Sequence, residues 1–277
     1  MDLAETLAGI EQEAARTIGE NETDYIGEEG LLMCGKCHTK KQFRGVFLGM
    51  EKVVPSLCRC RAEELEKERE AEERKKTMRL AKELRRAGIP ESDMQGWTFA
   101  NSDNENPRLI QAAKNYVENF GELKRTGKGL LLYGDCGTGK TYAAACIVNA
   151  LIDQGIPCLM TNFSRVINTL WSIEKKQEYI DAFNQYSLLV LDDLGAERQS
   201  EYVAEQVFNV IDGRYRAKLP LIVTTNLSLR EMTAPGANKR IYERLLERCH
   251  PVEVSGESRR RKKLKEEFSD MNKLLGL

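Results

Sequence analysis

From about residue 90 onward, short apolar runs alternate with longer stretches in which apolar residues recur every three to four positions. The short runs lie at 130–133, 158–161, 188–192 and 221–225, and the helical stretches between them at about 140–154, 164–183 and 200–217. Unbroken apolar runs are typical of strands buried on both faces, and intervening helices connect parallel neighbours. The pattern therefore predicts an α/β fold with a mostly parallel sheet, helices on both faces and a ligand at the carboxyl ends of the strands.

A highly charged segment with a different pattern precedes this region. Between residues 61 and 87, acidic and basic residues stand four apart, as Glu63 and Lys67 do, and this spacing stabilises an exposed helix. Apolar residues are sparse there, so we expect the helix to bridge two modules through solvent and to end at Gly88–Pro90. A docking helix for a partner is the alternative.

The length of the chain, 277 residues, is enough for one large domain or two smaller ones. We divide it into an amino-terminal module at 1–60, a charged helical linker at 61–89 and the α/β domain at 90–277. Within the first 18 residues, a short apolar stripe predicts a helix.

The charges of the chain nearly cancel, because 42 Lys and Arg residues face 43 Asp and Glu residues. This balance favours neither nucleic acid nor a membrane as a partner, so a nucleic-acid site would be a local patch. The first residues are acidic, unlike a secretory signal, and no apolar run approaches the roughly 18 residues of a membrane span. We expect a cytoplasmic protein without a membrane partner, whose eight cysteines are reduced.

Half of the cysteines are clustered in the amino-terminal module, as Cys34, Cys37, Cys58 and Cys60. Two such pairs supply the four thiolates of a tetrahedral structural Zn²⁺ site, and the segment has too few apolar residues to fold unaided. His38 is an alternative ligand, and a reduced cluster without metal is the alternative state. The other four cysteines are expected to be core or loop thiols.

A glycine-rich segment directly follows the first predicted strand and precedes the first helix of the α/β region. Its sequence is Gly134-Asp135-Cys136-Gly137-Thr138-Gly139-Lys140-Thr141. Glycines permit the positive φ angles with which backbone N–H groups surround a polyphosphate, and Lys140 is placed to reach the β- and γ-phosphates. The segment predicts a phosphate-binding loop for a nucleoside triphosphate.

Polar side chains follow two later strands at the same predicted edge of the sheet. Asp192 and Asp193 come directly after one strand, and Asn226 follows another. Asp192 and the Thr141 hydroxyl suit coordination of Mg²⁺, and Asp193 suits the general base that polarises the attacking water. Asn226 is placed to contact the γ-phosphate or that water. The alternative is a pair of solvated aspartates and an asparagine that starts a turn.

Arg240, Arg244 and Arg248 recur every four residues and share one helical face. A guanidinium presented to the γ-phosphate of a neighbouring subunit would stabilise the charge of the transition state. An exposed basic stripe paired with Glu243 and Glu247 is the alternative.

Together these residues resemble the AAA+ ATPases and, within them, the bacterial and phage replicative-helicase loaders of the DnaC/DnaI type. The motifs that carry the resemblance are Gly134–Thr141, Leu188–Glu197, Val223–Asn226 and Arg240–Leu245. The cysteine module followed by a charged helix is also similar to the amino-terminal region of Gram-positive and phage members.

The resemblance implies a role for each matching residue. Asp192 and Asp193 become the Walker B pair, Asn226 the sensor 1 residue and Arg244 the arginine finger. Within Ser258–Arg260, the resemblance implies a sensor 2 arginine, for which we prefer Arg260. Because many AAA+ proteins carry Glu where Asp193 stands, it also implies slow, switch-like ATP hydrolysis.

The resemblance further implies partners: a hexameric replicative helicase held by the amino-terminal module, single-stranded DNA, and further copies of the chain. Candidate DNA contacts are Phe163, Arg165, Trp171, Lys175 and Lys176. The rival hypotheses are a transposase helper ATPase of the IstB type and a scaffold that binds nucleotide without turnover. The cysteine module favours the loader.

Overall fold

The computed structural model of the chain describes residues 21–47, 49–103, 105–195, 200–234 and 239–275. The helix predicted within the first 18 residues lies outside them. The chain forms two compact units, of which the first ends at Lys76 and the second begins at Thr77. The three-part division with boundaries after residues 60 and 89 stays a prediction.

The first unit contains two small antiparallel ladders and the start of a long helix. Strand β1 (Tyr25–Ile26) pairs with β2 (Leu32–Met33), β3 (Gln42–Phe47) pairs with β4 (Met50–Pro55), and helix α1 spans Arg59–Gly88. Among the described residues of this unit, the buried apolar side chains are Leu31, Cys34 and Cys58. Burial of so little apolar surface supplies little stability, so the unit depends on other interactions.

One of those interactions is a buried ion pair beside the cysteines. The ammonium of Lys41 lies 2.5 Å from the carboxylate of Asp24, and both side chains are almost fully buried. Asp24 also accepts hydrogen bonds from the backbone N–H groups of Asn21 and Gly35. These bonds and the nearby Lys41 hold the pKa of Asp24 at about 2.

Helix α1 confirms the predicted charged helix but differs from it at the carboxyl-terminal end. Up to residue 80 it is largely exposed, whereas Ala81 is buried and Leu84 packs against the core of the second unit. A Cβ atom at Gly88 would collide with the carbonyl oxygen of Cys158. The prediction of a purely solvent-bridging helix is therefore wrong for the last two turns, where small residues allow close packing.

The second unit alternates helices and strands, as the apolar pattern predicts. In chain order its elements are α2 (Pro107–Glu118), α3 (Phe120–Thr126), β5 (Gly129–Tyr133), α4 (Lys140–Asp153), β6 (Cys158–Asn162), α5 (Phe163–Ser172), α6 (Lys176–Ala182), β7 (Leu188–Leu194), α7 (Glu201–Ala217), β8 (Leu221–Thr225), α8 (Leu229–Thr233), α9 (Lys239–Arg248), β9 (Cys249–Glu253) and α10 (Arg259–Leu275). The helix predicted at 164–183 is interrupted, because α5 ends at Ser172 and α6 begins at Lys176.

The strands of this unit form a parallel sheet in the order β6-β7-β8-β5-β9 over the residues that the structure describes. Leu188 and Val190 face a core that contains α2 and α4, whereas Leu189 and Leu191 face a core that contains α5, α7 and α9. The predicted parallel α/β sheet with helices on both faces is confirmed. Burial of both faces explains why the β7 run has no polar alternation.

Strand β9 was not predicted from the sequence. It lies at the edge of the sheet, pairs with β5 alone among the described strands, and contains His250 and Pro251. An edge strand tolerates proline and polar residues, so its apolar pattern is weak. Separately, none of the helices in the described part of the chain is both long and apolar enough to cross a membrane.

Candidate nucleotide site and cysteine cluster

The glycine-rich loop connects the end of β5 to the start of α4 and has the backbone that its composition predicts. Gly134, Gly137 and Gly139 have φ angles of +130°, +83° and +100°, values that side-chain-bearing residues rarely adopt. A Cβ atom at Gly134 would lie 2.5 Å from the carbonyl oxygen of Val254. The loop is therefore a glycine-dependent cradle at the amino-terminal end of a helix, which suits phosphate.

Lys140 and Asn226 meet at this loop, although they are 86 residues apart in sequence. The Lys140 ammonium donates to the carbonyl oxygens of Gly134 (2.8 Å) and Asp135 (2.7 Å) and to Oδ1 of Asn226 (2.8 Å). Burial lowers the pKa of Lys140 below its usual value. All three of these acceptors are neutral, and among the described residues no ion pair joins the Lys140 ammonium to a carboxylate, so the loop suits an anionic ligand.

Asp192 lies beside the loop and is held by two hydroxyl groups. Thr141 Oγ1 donates to either carboxylate oxygen, at 3.0 and 3.1 Å, and Thr224 Oγ1 donates to Oδ1 at 2.6 Å. Asp192 is 7% exposed, and its burial raises its pKa above the usual value. The Thr141 hydroxyl and the Asp192 carboxylate are hard oxygen donors that would hold Mg²⁺.

Asp193 follows directly and has a left-handed backbone with a φ angle of +58°. Its backbone N–H donates to Thr224 Oγ1 at 2.9 Å, and its side chain is exposed. The register between β7 and β8 shifts between Leu191 and Leu194, so an irregularity in the ladder turns the second aspartate outward. Thr224 therefore contacts both acidic residues, a role that the sequence pattern does not predict.

Two arginines at the start of α10 reach the same loop. Arg260, the predicted residue, places Nη1 3.5 Å from Cys136 Sγ. Arg259 donates its backbone N–H to the Gly137 carbonyl at 3.0 Å. Its guanidinium carbon lies 3.1 Å from the position that a Cβ atom on Gly139 would take. Both arginines belong to the segment for which the resemblance implies a sensor 2 residue, and the structure brings Arg259 as well as the preferred Arg260 to the loop.

Arg244 lies away from these residues. Its guanidinium forms an ion pair with Asp212 and stacks over the rings of Phe208 (4.7 Å to the centroid) and Tyr215 (5.2 Å). Within the described residues, no hydrogen bond or ion pair joins Arg244 to the loop at 134–141. A role in the site of the same subunit is therefore not supported, and the finger role toward a neighbour stays a prediction.

The four cysteines of the first unit converge as predicted. Sγ of Cys60 lies 3.5 Å from Sγ of Cys34 and 3.4 Å from Sγ of Cys58, and all four sulfur atoms lie within 4.8 Å of one another. A tetrahedral Zn²⁺ ion with Zn–S bonds of about 2.3 Å places its sulfurs about 3.8 Å apart. The Thr39 hydroxyl, together with backbone N–H groups, lowers the pKa of Cys37 to about 5. The cluster therefore fits zinc.

The candidate DNA contacts do not all lie on the surface. Phe163 is fully buried in the core, so its assignment as a DNA contact is wrong, and Arg165 pairs with an acidic side chain. Trp171 is 66% exposed and packs edge-on against Tyr202, over whose ring the Lys176 ammonium lies at 4.9 Å. Trp171 is thus an exposed aromatic side chain beside a half-buried tyrosine and lysine, and exposed aromatic side chains near basic ones are the kind of surface on which nucleic-acid bases stack.

Comparison with known proteins connects this geometry to a family. A family model described as "IstB-like ATP binding protein" matches residues 60–267. The replicative helicase loader DnaI of Bacillus subtilis (strain 168) is 27% identical over 210 residues, which cover 69% of this chain and 66% of that protein. A putative ATP-binding protein of an insertion sequence in Mycobacterium tuberculosis is 27% identical over 198 residues, which cover 69% of this chain and 77% of that protein.

A solved structure supports the fold. The crystal structure of the DnaC helicase loader superposes with a TM-score of 0.53 at 24% identity and covers 60% of this chain and all of that one. At this identity the likeness concerns the fold, a parallel α/β sheet with helices on both faces as predicted from the sequence. Since the family model matches well over half of the residues and includes the whole phosphate-binding loop, the chain belongs to the IstB-like family of ATP-binding proteins.

Proposed function

We propose that the protein is an ATP-dependent loader that places a hexameric replicative helicase on single-stranded DNA. The observation that carries this proposal is a separate cysteine unit that precedes the ATP-binding unit. The family match begins at residue 60, so Cys34, Cys37 and Cys58 lie ahead of it. The name of the DnaI relative supports the loader.

The cysteine unit also has the surface of a binding module. Its β3–β4 hairpin exposes Val46 (69%), Val53 (49%) and Met50 (59%). In the hairpin register Val46 stands opposite Glu51 and Val53 opposite Arg44, so the two valines share one face. Exposed apolar side chains that are rimmed by charges are typical of protein interaction surfaces. We assign this face to the helicase.

In the ATP-binding unit we propose a slow, switch-like hydrolysis. Lys140 and the loop amides bind the phosphates, and Asn226 holds the Lys140 ammonium in place. Thr141 and Asp192 would hold a Mg²⁺ ion, which neutralises phosphate charge when bound. Asp193 acts as the general base, and its side chain is one methylene shorter than the glutamate that many AAA+ proteins carry there, which slows activation of water.

A transposition helper is the second candidate, because the insertion-sequence relative is as similar in sequence as DnaI is. The two hypotheses differ in the partner. We expect the immobilised full-length protein, with ATP, to capture the purified helicase hexamer of its host and not the transposase of an insertion sequence. Val46→Ser/Val53→Ser should reduce helicase capture at least about tenfold while ATP binding is unchanged. Capture of transposase without helicase would overturn the loader.

Self-association through the ATP-binding units is the second part of the proposal. We expect Arg244→Ala to bind ATP normally and to lose at least about nine tenths of hydrolysis with single-stranded DNA, because a finger arginine stabilises transition-state charge. The matched control is Arg240→Ala, which removes an exposed arginine one turn earlier on α9 and should leave the rate unchanged.

Mixing variants separates action within a subunit from action between subunits. A Lys140→Ala subunit has an intact finger but no ATP, and an Arg244→Ala subunit has ATP but no finger. If Arg244 acts on the neighbour, the mixture hydrolyses ATP although each variant alone is inactive. Normal hydrolysis by Arg244→Ala, or no recovery in the mixture, would remove Arg244 from the site.

A further inference from the structure

Arg259 stands between the phosphate-binding loop and a pair of carboxylates. Its Nη2 lies 3.3 Å from Oδ1 of Asp103, and its Nε lies 3.6 Å from Oε2 of Glu105. On the other side, the two terminal nitrogens of the guanidinium lie 3.3 and 3.4 Å from where a Cβ atom on Gly139 would be. The same planar group therefore touches the loop and two anions.

Gly139 lies at the part of the loop where we expect the phosphates to bind. Gly139 is the N-cap residue of α4, and the first backbone N–H groups of a helix attract phosphate. A Cβ atom at residue 139 would lie 3.1 Å from the guanidinium carbon, a tight contact, so the glycine leaves room for Arg259 beside the loop. A polyphosphate in the loop would come within reach of this arginine.

The carboxylates hold Arg259 only weakly. The side chains of Asp103 and Glu105 are 47% and 35% exposed, and that of Arg259 is 21% exposed. Ion pairs at such exposed positions contribute little, because water screens the charges. A bidentate contact between a guanidinium and a phosphate is stronger. A bound nucleotide would therefore displace the two carboxylates from the Arg259 guanidinium.

We propose that Asp103 and Glu105 form ion pairs with Arg259 in the protein without nucleotide, and that Arg259 breaks these ion pairs to contact the polyphosphate when a nucleotide binds. The two carboxylates thereby lower the affinity of the site for ATP. They are positioning residues that act through Arg259. The proposal rests on ATP binding by this loop and does not depend on the loader function.

The surroundings favour this exchange. Lys262 lies 2.7 Å from the other oxygen of Glu105, so Glu105 keeps a cation when Arg259 leaves it. The side-chain amide of Asn106 donates to the carbonyl of Ser255 at 3.3 Å and keeps the segment after Glu105 next to the start of α10. The exchange thus moves one side chain: Glu105 keeps Lys262, and the Asp103 carboxylate, which is 47% exposed, keeps water and the backbone N–H of Glu105 at 3.2 Å.

A rival explanation also predicts tighter ATP binding when the two carboxylates are neutralised, because any carboxylate near a polyphosphate repels it. A double-mutant cycle separates the two, since repulsion acts without Arg259 and the proposed competition requires it. Glu257 provides the control: it lines the same cleft, and no ion pair joins it to Arg259 among the described residues.

The experiment measures the dissociation constant of a fluorescent ATP analogue at fixed ionic strength, with full-length protein and without helicase or DNA. We expect Asp103→Asn/Glu105→Gln to tighten binding about fivefold, the effect of two partly exposed ion pairs. In an Arg259→Gln background the same pair of substitutions should change binding less than about 1.5-fold. Glu257→Gln and the charge-preserving Asp103→Glu should each stay within about twofold.

Two results would overturn the proposal. Equal tightening in both backgrounds means general repulsion, and no tightening in the native background means that the carboxylates do not compete for Arg259. Because helicase is absent, failure here leaves the loader proposal standing. Conversely, a protein that captures transposase would still be able to show this coupling.

Discussion

We expect Lys140→Ala to abolish ATP binding, with a dissociation constant raised at least about a hundredfold, equivalent to about 2.8 kcal/mol. The Lys140 ammonium is 5% exposed and is held by three neutral acceptors at 2.7–2.8 Å, so its charge is available to a phosphate. Alanine removes that charge and the bonds that hold the loop around it. The measurement is titration with a fluorescent ATP analogue.

The control must separate loss of the cation from loss of fold. Lys82→Ala removes an exposed lysine of α1 and should leave both ATP affinity and thermal stability unchanged. The Lys140→Ala protein should unfold near the native temperature without nucleotide and should lose the stabilisation that ATP gives the native protein. Binding within threefold of the native value in a folded Lys140→Ala protein would contradict the assignment of the loop.

The nucleotide residues that the apolar pattern locates share one property: each follows a buried strand, directly for Asp192 and Asn226 and through the glycine-rich loop for Lys140. The carboxyl ends of parallel strands meet at one edge of a sheet, so Lys140, Asp192 and Asn226 had to lie close together once the strands were recognised. The bonds between Lys140 and Asn226 and between Thr141 and Asp192 are direct consequences.

Thr224 was not recognised, and Arg259 was not distinguished from Arg260, for a different reason. Thr224 lies inside a strand among buried residues, where a β-branched residue needs no functional explanation. Its role becomes visible only in the register between β7 and β8, which places its hydroxyl between Asp192 and the backbone of Asp193. Arg259 belongs to a basic run in which neither spacing nor composition distinguishes one arginine from the next.

The secondary-structure elements also divide into those that a local apolar pattern predicts and those that it does not. Strands buried on both faces were placed within one or two residues, because their apolar runs are unbroken. The edge strand β9 and the buried end of α1 were missed, because Pro251, Ala81 and Gly88 carry little apolar signal. Their packing depends on neighbours that are distant in sequence, which a local pattern does not encode.

Removal of zinc is the change with the largest expected effect on the first unit. Among the described residues of that unit, buried apolar side chains are limited to Leu31, Cys34 and Cys58, and two of these are thiols of the cluster. Binding of a structural zinc contributes about 10–16 kcal/mol in zinc-finger peptides. We therefore expect Cys34→Ser to lose the metal and to unfold the first unit, while the parallel sheet of the second unit remains folded.

Metal content and hydrogen exchange measure the two halves of this prediction. The native protein should contain one zinc per chain, and a strong chelator should abolish amide protection in residues 21–58 but not in 129–133 or 188–194. Cys136→Ser is the matched control, because it removes an exposed thiol outside the cluster and should retain the zinc. A purified protein with much less than one zinc per chain and a protected first unit would contradict the metal site, since the four thiols would then be stable without an ion.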